Sequence, residues 1–244
     1  MPSAAEPFRI VEVVYPGMTQ LDFTAPHTVF SRLPNARVSV ASLDGGEVIA
    51  DGGLAFAGTQ RLAGVEGCDL VFFPGGLAAT KVINDEAFMA EATRLARGAR
   101  YLTSVCTGSL IIAATGLIAG RRAACHWAWR DLLAPFGVIA DPARVVRDGS
   151  LITGGGVTAG LDLALVVAAE IAGERFAQGL QLTLEYAPAP PFDAGRPETA
   201  PPEVLEDVLA RLAASAPARR AEVEAAAARL KLTGNYGAGA EASG

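Results

Sequence analysis

Short apolar runs alternate with longer amphipathic stretches over most of this chain. Phe8–Tyr15 predicts a strand and is closed by Pro16-Gly17. Asp22–Leu33 predicts a helix that Asp22 or Thr24 can cap, with Val29, Phe30 and Leu33 on its apolar side. Pro26 suits the first turn of that helix, where its missing N–H costs little. Arg37–Leu43 predicts a second strand, and Val48–Ala57 a hairpin turning at Asp51-Gly52-Gly53. Asp69–Phe73 is a Val- and Phe-rich strand running into Pro74-Gly75-Gly76. A helix over Asp85–Arg97 stops near Gly98. Arg100–Val105 is the next strand and Ser109–Thr115 the next helix, ended by Gly116. Val145–Arg147 and Leu151–Thr153 flank the turn signal Asp148-Gly149. Gly154-Gly155-Gly156 then leads into the apolar helix Leu161–Ala172.

Alternation of this kind predicts an α/β sandwich around a mainly parallel sheet. Strands with little polar alternation fit a sheet covered on both faces. Phe176–Tyr186 predicts a further helix, Ala187–Pro202 a Pro-rich surface segment, and Glu203–Leu232 an Ala-rich helical region interrupted at Pro217. Residues 1–232 are expected to form one domain and 233–244 a flexible tail. There is no internal repeat and no helix-turn-helix pattern with a basic recognition helix.

Composition narrows the function. The 244 residues carry 20 Lys and Arg against 26 Asp and Glu, a formal net charge of −6. That balance argues against a general nucleic-acid binder. At 51% hydrophobic and 19% charged residues the chain can bury a sizeable core. Its longest apolar windows, such as Leu110–Leu117 and Leu163–Ile171, fall short of the roughly 18–20 residues of a membrane span. The opening residues lack the basic and apolar regions of a secretory signal. Cys68, Cys106 and Cys125 are an odd number without a CxxC, which favours a reducing, cytoplasmic setting over a disulfide framework.

Ligands of open α/β sheets sit beyond the C-terminal strand ends. Asp22, Gly75-Gly76-Leu77, Cys106-Thr107-Gly108 and Gly154-Gly155-Gly156 with Thr158 occupy four such ends. Cys106 joins a strand to a helix with no room for a loop. It is either a buried inert cysteine or a nucleophile whose pKa the helix N-terminus lowers. Asp22 is either a helix cap or a general acid kept protonated by apolar surroundings. Gly75, Gly76 and Leu77 form either a plain tight turn or, with Thr107, a set of backbone donors for developing negative charge. Cys68 precedes a strand at the opposite end of the sheet and is expected to be structural. Cys125 and His126 are expected on one strand, facing opposite sides, and His126 either approaches Cys106 or bonds structurally beside Trp127. With only His27 and His126 in the chain there is no zinc spacing. Neither nucleotide-binding glycine motif occurs, and no metal or organic cofactor is expected.

Several stretches together carry a family likeness. They are Gln20-Leu21-Asp22-Phe23-Thr24-Ala25-Pro26-His27, Pro74-Gly75-Gly76, Thr103–Leu110 around Cys106, His126-Trp127, Thr153–Asp162, and Gln181–Phe192. In these the chain resembles the ThiJ/PfpI superfamily, related to class I glutamine amidotransferases, and within it most closely the isocyanide hydratases. The likeness runs from about Phe8 to about Leu230. It implies a flavodoxin-like three-layer sandwich, a homodimer with its site near the interface, and a small-molecule isocyanide as substrate. It also implies a reaction without cofactor or metal. Cys106 would attack the isocyanide carbon, Asp22 would deliver a proton, and Thr107 would bond Asp22 or position water. His126, Trp127 and Thr158 are possible supporting residues, with an apolar pocket near Trp127 or Trp129. A glyoxalase- or deglycase-like activity on α-oxoaldehydes and a ligand-sensing module remain as alternatives.

Overall fold

The structure, a computed structural model, describes residues 6–232, so the expected tail lies outside the described residues. The first half runs β1 (Phe8–Val13), α1 (Gln20–Phe30), β2 (Ala36–Ser42), β3 (Gly46–Ile49), β4 (Ala55–Arg61) and β5 (Leu70–Phe73). Next come α2 (Ala79–Val82), α3 (Glu86–Gly98), β6 (Tyr101–Val105), α4 (Gly108–Ala114) and β7 (Arg122–Ala123). A 3₁₀ segment, Trp127–Phe136, then precedes β8 (Ile139–Ala140), β9 (Val145–Asp148) and β10 (Leu151–Gly154). Four helices follow: α5 (Ala159–Ala172), α6 (Glu174–Thr183), α7 (Pro202–Ala213) and α8 (Ala216–Leu232).

Successive side chains of a strand face opposite ways, and here both faces are apolar. On β1 and β5, Ile10, Leu70 and Phe72 pack with Val29 and Phe30 of α1 and Leu163 and Val167 of α5. Val11, Val71 and Phe73 point the other way, toward Phe88 and Leu95 of α3, Leu110 of α4 and Val223 of α8. The result is an α/β fold with helices on both faces of an eight-stranded sheet, ordered β3-β4-β2-β1-β5-β6-β10-β9. Strands from β4 to β10 pair in parallel, whereas the edge strands β3 and β9 pair antiparallel. The chain leaves β1 for β2 on one side and reaches β5 on the other. The crevice at that reversal is where such sheets take ligands. Among the described residues, no helix is long and apolar enough to cross a membrane.

Four local expectations need correction. α1 starts at Gln20, so Pro26 lies inside the helix and not in its first turn. Proline has no N–H for the Asp22 carbonyl, and Gly160 of α5 makes room for its ring: a Cβ there would lie 3.0 Å from Pro26 Cγ. Neither Asp22 nor Thr24 caps this helix; Asp51 of the β3–β4 turn does so from outside, accepting the Gln20 N–H at 3.1 Å and the Thr19 hydroxyl at 2.7 Å. Cys125 and His126 are not on a strand but in the connection after β7, with His126 opening the 3₁₀ segment. The last helices part at Ala214-Ser215, and Pro217 sits in the first turn of α8, where it is tolerated.

An ionisable side chain sits within the sheet itself. Glu12, in the middle of β1, is fully buried, and its Oε2 lies 2.5 Å from His27 Nδ1 on α1, while Oε1 has no partner. Burial raises the Glu12 pKa above its ordinary 4.5, and the hydrogen bond to Glu12 raises that of His27 above 6.5. Both shifts mean that the folded pair keeps protons that the unfolded groups release. The stability it contributes is therefore full in acid and lost as pH rises through the folded values. Glu12→Gln is expected to gain stability relative to the native chain as pH rises above the ordinary values of 4.5 and 6.5, read from urea midpoints. A gap that stays the same at every pH would show that the pair does not titrate with folding.

Candidate active site

Three strand ends converge above the sheet. β1 leads through a short turn to Asp22 on α1, β5 leads to Pro74-Gly75-Gly76, and β6 leads to Cys106. Cys106 joins β6 directly to α4 and takes φ +58°, a left-handed conformation that costs a residue with a side chain on the order of 1–3 kcal/mol. Its N–H donates to the Gly155 carbonyl at 2.6 Å, which fixes the turn against the end of β10. The thiol thereby lies beside the Asp22 carboxyl, where each shifts the pKa of the other, and Asp22 Oδ1 has no hydrogen-bond partner of its own.

Gly75 is what lets these groups meet. A Cβ on Gly75 would stand 2.5 Å from Thr107 N, 2.7 Å from Asp22 Oδ2 and 2.8 Å from Cys106 Cβ. Its N–H donates to Asp22 Oδ2 at 2.9 Å. The Gly76 N–H donates to Thr107 Oγ1 at 2.9 Å, and that hydroxyl donates back to the Gly76 carbonyl at 2.9 Å. The Thr107 hydroxyl therefore does not bond Asp22; it ties the β5 and β6 turns together. The two glycine N–H groups are likewise committed to Asp22 and Thr107, so they hold the acid and the turn and are not free for negative charge on a ligand. Leu77 follows on the exposed side of the same turn. Tyr15, which the sequence did not single out, braces the turn from below by donating to the Pro74 carbonyl at 3.0 Å.

Burial governs the electrostatics. Asp22 is fully buried and Cys106 is 5% exposed. Desolvation pushes the Asp22 carboxyl up to about 7, against the pull of the neighbouring Cys106 thiol and the Gly75 N–H. Desolvation also drives the Cys106 thiol well above the ordinary value; Asp22 and Cys125 add to this, and the Thr107 N–H opposes it. The expected lowering by the helix start is present in that N–H but is outweighed. At neutral pH the resting pair is a protonated thiol beside a carboxyl that gains or loses a proton readily. Such a pair can move one proton while sulfur forms a bond.

The other expected residues lie to one side. The Ser109 hydroxyl donates to the Ala124 carbonyl at 2.6 Å, and the Ala124 N–H to Thr153 Oγ1 at 2.8 Å, which sets Cys125 and His126 beside the β10 end. His126 Nδ1 accepts the Ala128 N–H at 3.3 Å, and the ring stacks on Trp127, the structural role. Burial lowers its pKa, so it is neutral at pH 7. His126, Trp127, Gly156 and Thr158 line a cavity of about 640 Å³. Thr158 is exposed and accepts from Arg144 at 3.3 Å. Trp129 is buried beneath Arg219, so of the two tryptophans Trp127 faces this cavity. Burial pushes Cys68 and Cys125 up to about 12. Among the described residues, no cluster of His, Cys, Asp and Glu could hold a metal ion.

A family model described as the DJ-1/PfpI family matches residues 9–170. The chain belongs to the DJ-1/PfpI family. It is 44% identical over 220 residues to the isonitrile hydratase of Pseudomonas putida, across 90% of this chain and 96% of that protein. A crystal structure of a ThiJ/PfpI family protein from Pseudomonas syringae matches with a TM-score of 0.85 at 38% identity, covering 91% of this chain and 90% of that one. The HTH-type transcriptional regulator CdhR of Pseudomonas aeruginosa is 31% identical over 145 residues, 58% of this chain and 42% of the regulator.

The close approach at Gly75 yields a prediction for this DJ-1/PfpI protein. Its nearest would-be contacts are a backbone nitrogen and a held carboxylate, neither of which can swing aside. Gly75→Ala is expected to cost about 1–3 kcal/mol of stability, the scale of overpacking, and to slow alkylation of Cys106 by iodoacetamide. Melting and alkylation like the native chain would show that the approach relaxes freely.

Proposed function

We propose that this protein hydrates isocyanides to N-substituted formamides, with Cys106 as nucleophile and Asp22 as the acid. The carrying observation is the buried Cys106–Asp22 contact across two strand ends, in a chain aligned over 96% of an isonitrile hydratase. The terminal carbon of R–N≡C is electrophilic and also bears a lone pair. Cys106 sulfur bonds to that carbon as its S–H bond breaks. One proton, passed through Asp22, arrives at the same carbon and leaves a thioimidate, R–N=CH–S. Water then adds to that carbon while the nitrogen takes a proton. The C–S bond breaks, the thiol regains its proton, and R–NH–CHO departs. No oxyanion forms in the first step, which suits a site whose glycine N–H groups are already engaged. No redox step or added cofactor enters this balance.

The substituent R would lie in the cavity lined by His126, Trp127 and Gly156. Its wall also carries Arg130, Asp141, Arg144, Arg196 and Glu198, so it is not the apolar pocket expected beside Trp127 and would suit an R group with a polar end. We read the sheet as flavodoxin-like, residues 1–232 as one domain, the protein as cytoplasmic, and the working form as a homodimer. Sedimentation at micromolar concentration giving only a 25.1 kDa species would reject the dimer. The match to part of a transcriptional regulator favours a ligand-sensing module as the second reading.

Formamide formation from an alkyl isocyanide, run beside a methylglyoxal assay, separates these readings. Turnover of isocyanide alone is expected; turnover of methylglyoxal alone would mean an α-oxoaldehyde enzyme, and neither would favour the sensor. Cys106→Ala is expected to abolish formamide formation at matched folded protein. Asp22→Asn, which keeps size and hydrogen bonding, is expected to lose about 10²-fold or more in turnover. Near-native turnover by the Asn variant would remove Asp22 from the proton transfer.

A further inference from the structure

The cavity beside His126 and Trp127 holds charge that the fold leaves unmatched. Its wall meets the nucleophile through Gly155, whose carbonyl takes the Cys106 N–H at 2.6 Å. Gly155 and Gly156 contribute bare backbone there, and a Cβ on Gly156 would come within 3.5 Å of His126 Cδ2. Two further segments add to the wall. The 3₁₀ segment brings Arg130, and the stretch between α6 and α7 brings Arg196. That stretch is held as a turn, because the Arg196 carbonyl accepts the Thr199 N–H at 3.2 Å and the Ala200 N–H at 2.9 Å.

The ionisable groups of the wall divide into those with partners and those without. Arg144 is taken by Asp162 of α5, at 2.8 Å from Nε and 2.7 Å from Nη2. Asp141 accepts from Arg122 at 3.0 Å and from the Ala143 N–H at 2.9 Å. His126 is neutral at pH 7. Asp131, beside Arg130 in sequence, pairs instead with Arg220 of α8 at 2.5 Å. Among the described residues, neither Arg130 nor Arg196 is paired with a carboxylate, and Glu198 on the exposed turn pairs with neither.

Arg130 is partly buried, and its Nε is buried with no hydrogen-bond partner. A guanidinium stays ionised, and a buried donor without an acceptor is costly. One edge of a guanidinium, Nε–H beside an Nη–H, matches the two oxygens of a carboxylate. An incoming carboxylate satisfies the donor that the fold leaves open, and Arg196 adds a second positive charge. A neutral, apolar substituent does neither.

We propose that this cavity is a carboxylate subsite, in which Arg130, aided by Arg196, binds the anionic end of the substituent R, so that isocyano acids are preferred to neutral isocyanides. This rests on the hydratase reading and adds the chemical class of its substrate.

The test compares isocyanoacetate and 4-isocyanobutanoate with their methyl esters, as kcat/KM for formamide formation, in the native chain, Arg130→Gln, Arg130→Lys and Arg196→Gln. The native chain is expected to favour at least one acid over its ester by about tenfold or more, the scale of a hydrogen bond to a charged group. Arg130→Gln should lose that preference through KM and not kcat, because binding shared by ground and transition states is removed. Arg130→Lys should keep part of it, since the charge stays and the paired donors go. Arg196→Gln, at an exposed position, should lose part of it and decides the matter if Arg130→Gln does not fold. Equal use of acid and ester by the native chain would overturn the proposal, as would a preference that survives both Gln variants. Calorimetric binding of 4-formamidobutanoate and its methyl ester keeps this inference apart from the reaction itself. A native chain that hydrates no isocyanide, yet binds the formamido acid more tightly than its ester and loses that margin in the Gln variants, would remove the hydratase reading and leave the carboxylate subsite standing. Hydrating and binding none of these compounds would overturn both.

Discussion

The arrangement depends on a backbone approach that leaves no space for a side chain. At Gly75 the end of β5 passes between the Thr107 nitrogen, the Asp22 carboxylate and Cys106 Cβ, all within 2.8 Å of where a Cβ would stand. Because nothing intervenes, the Gly75 N–H reaches Asp22 and the Gly76 peptide closes both its bonds on the Thr107 hydroxyl. The ends of three adjacent parallel strands are thus locked into one unit. Cys106 is held in its left-handed conformation by bonds on every side, which is how a strained residue persists in a folded protein.

That closeness buries both side chains, and burial sets their electrostatics. Both members of the Cys106–Asp22 pair resist ionisation because burial penalises their charged forms. A free thiolate is therefore not stored at rest; it arises only as the proton shifts within the pair. A carboxyl near 7 suits such a transfer better than an ordinary one, since it neither holds nor surrenders the proton completely. The last helix adds Val223 and Leu230 to the core beneath the site.

α1 links the site to the rest of the fold. Asp51 holds its start, which releases Asp22 from capping and leaves Oδ2 for the Gly75 N–H and Oδ1 without a hydrogen-bond partner. One turn further on, His27 anchors the helix to Glu12 in the centre of the sheet. A buried carboxylate in a central strand is a departure from an otherwise apolar pattern, and the imidazole five residues beyond Asp22 is its partner.

The order of elements, the two-sided apolar strands and the candidate strand ends were legible in the sequence, because hydrophobic period and glycine punctuation are local properties. So was Cys106, since a strand passing straight into a helix leaves a cysteine at a turn whatever surrounds it. The roles of its neighbours were not. Asp22 had the local signature of a cap, but the cap is Asp51, which lies 29 positions away and arrives only through the β3–β4 turn. Thr107 was adjacent to Cys106, yet its hydroxyl turned to Gly76, a partner 31 residues off. His126 was placed by the bonds of Ser109 and Thr153 to Ala124. Patterning determines which segments fold and which face is buried. Burial, and with it every pKa in the site, is a property of what the other segments bring alongside.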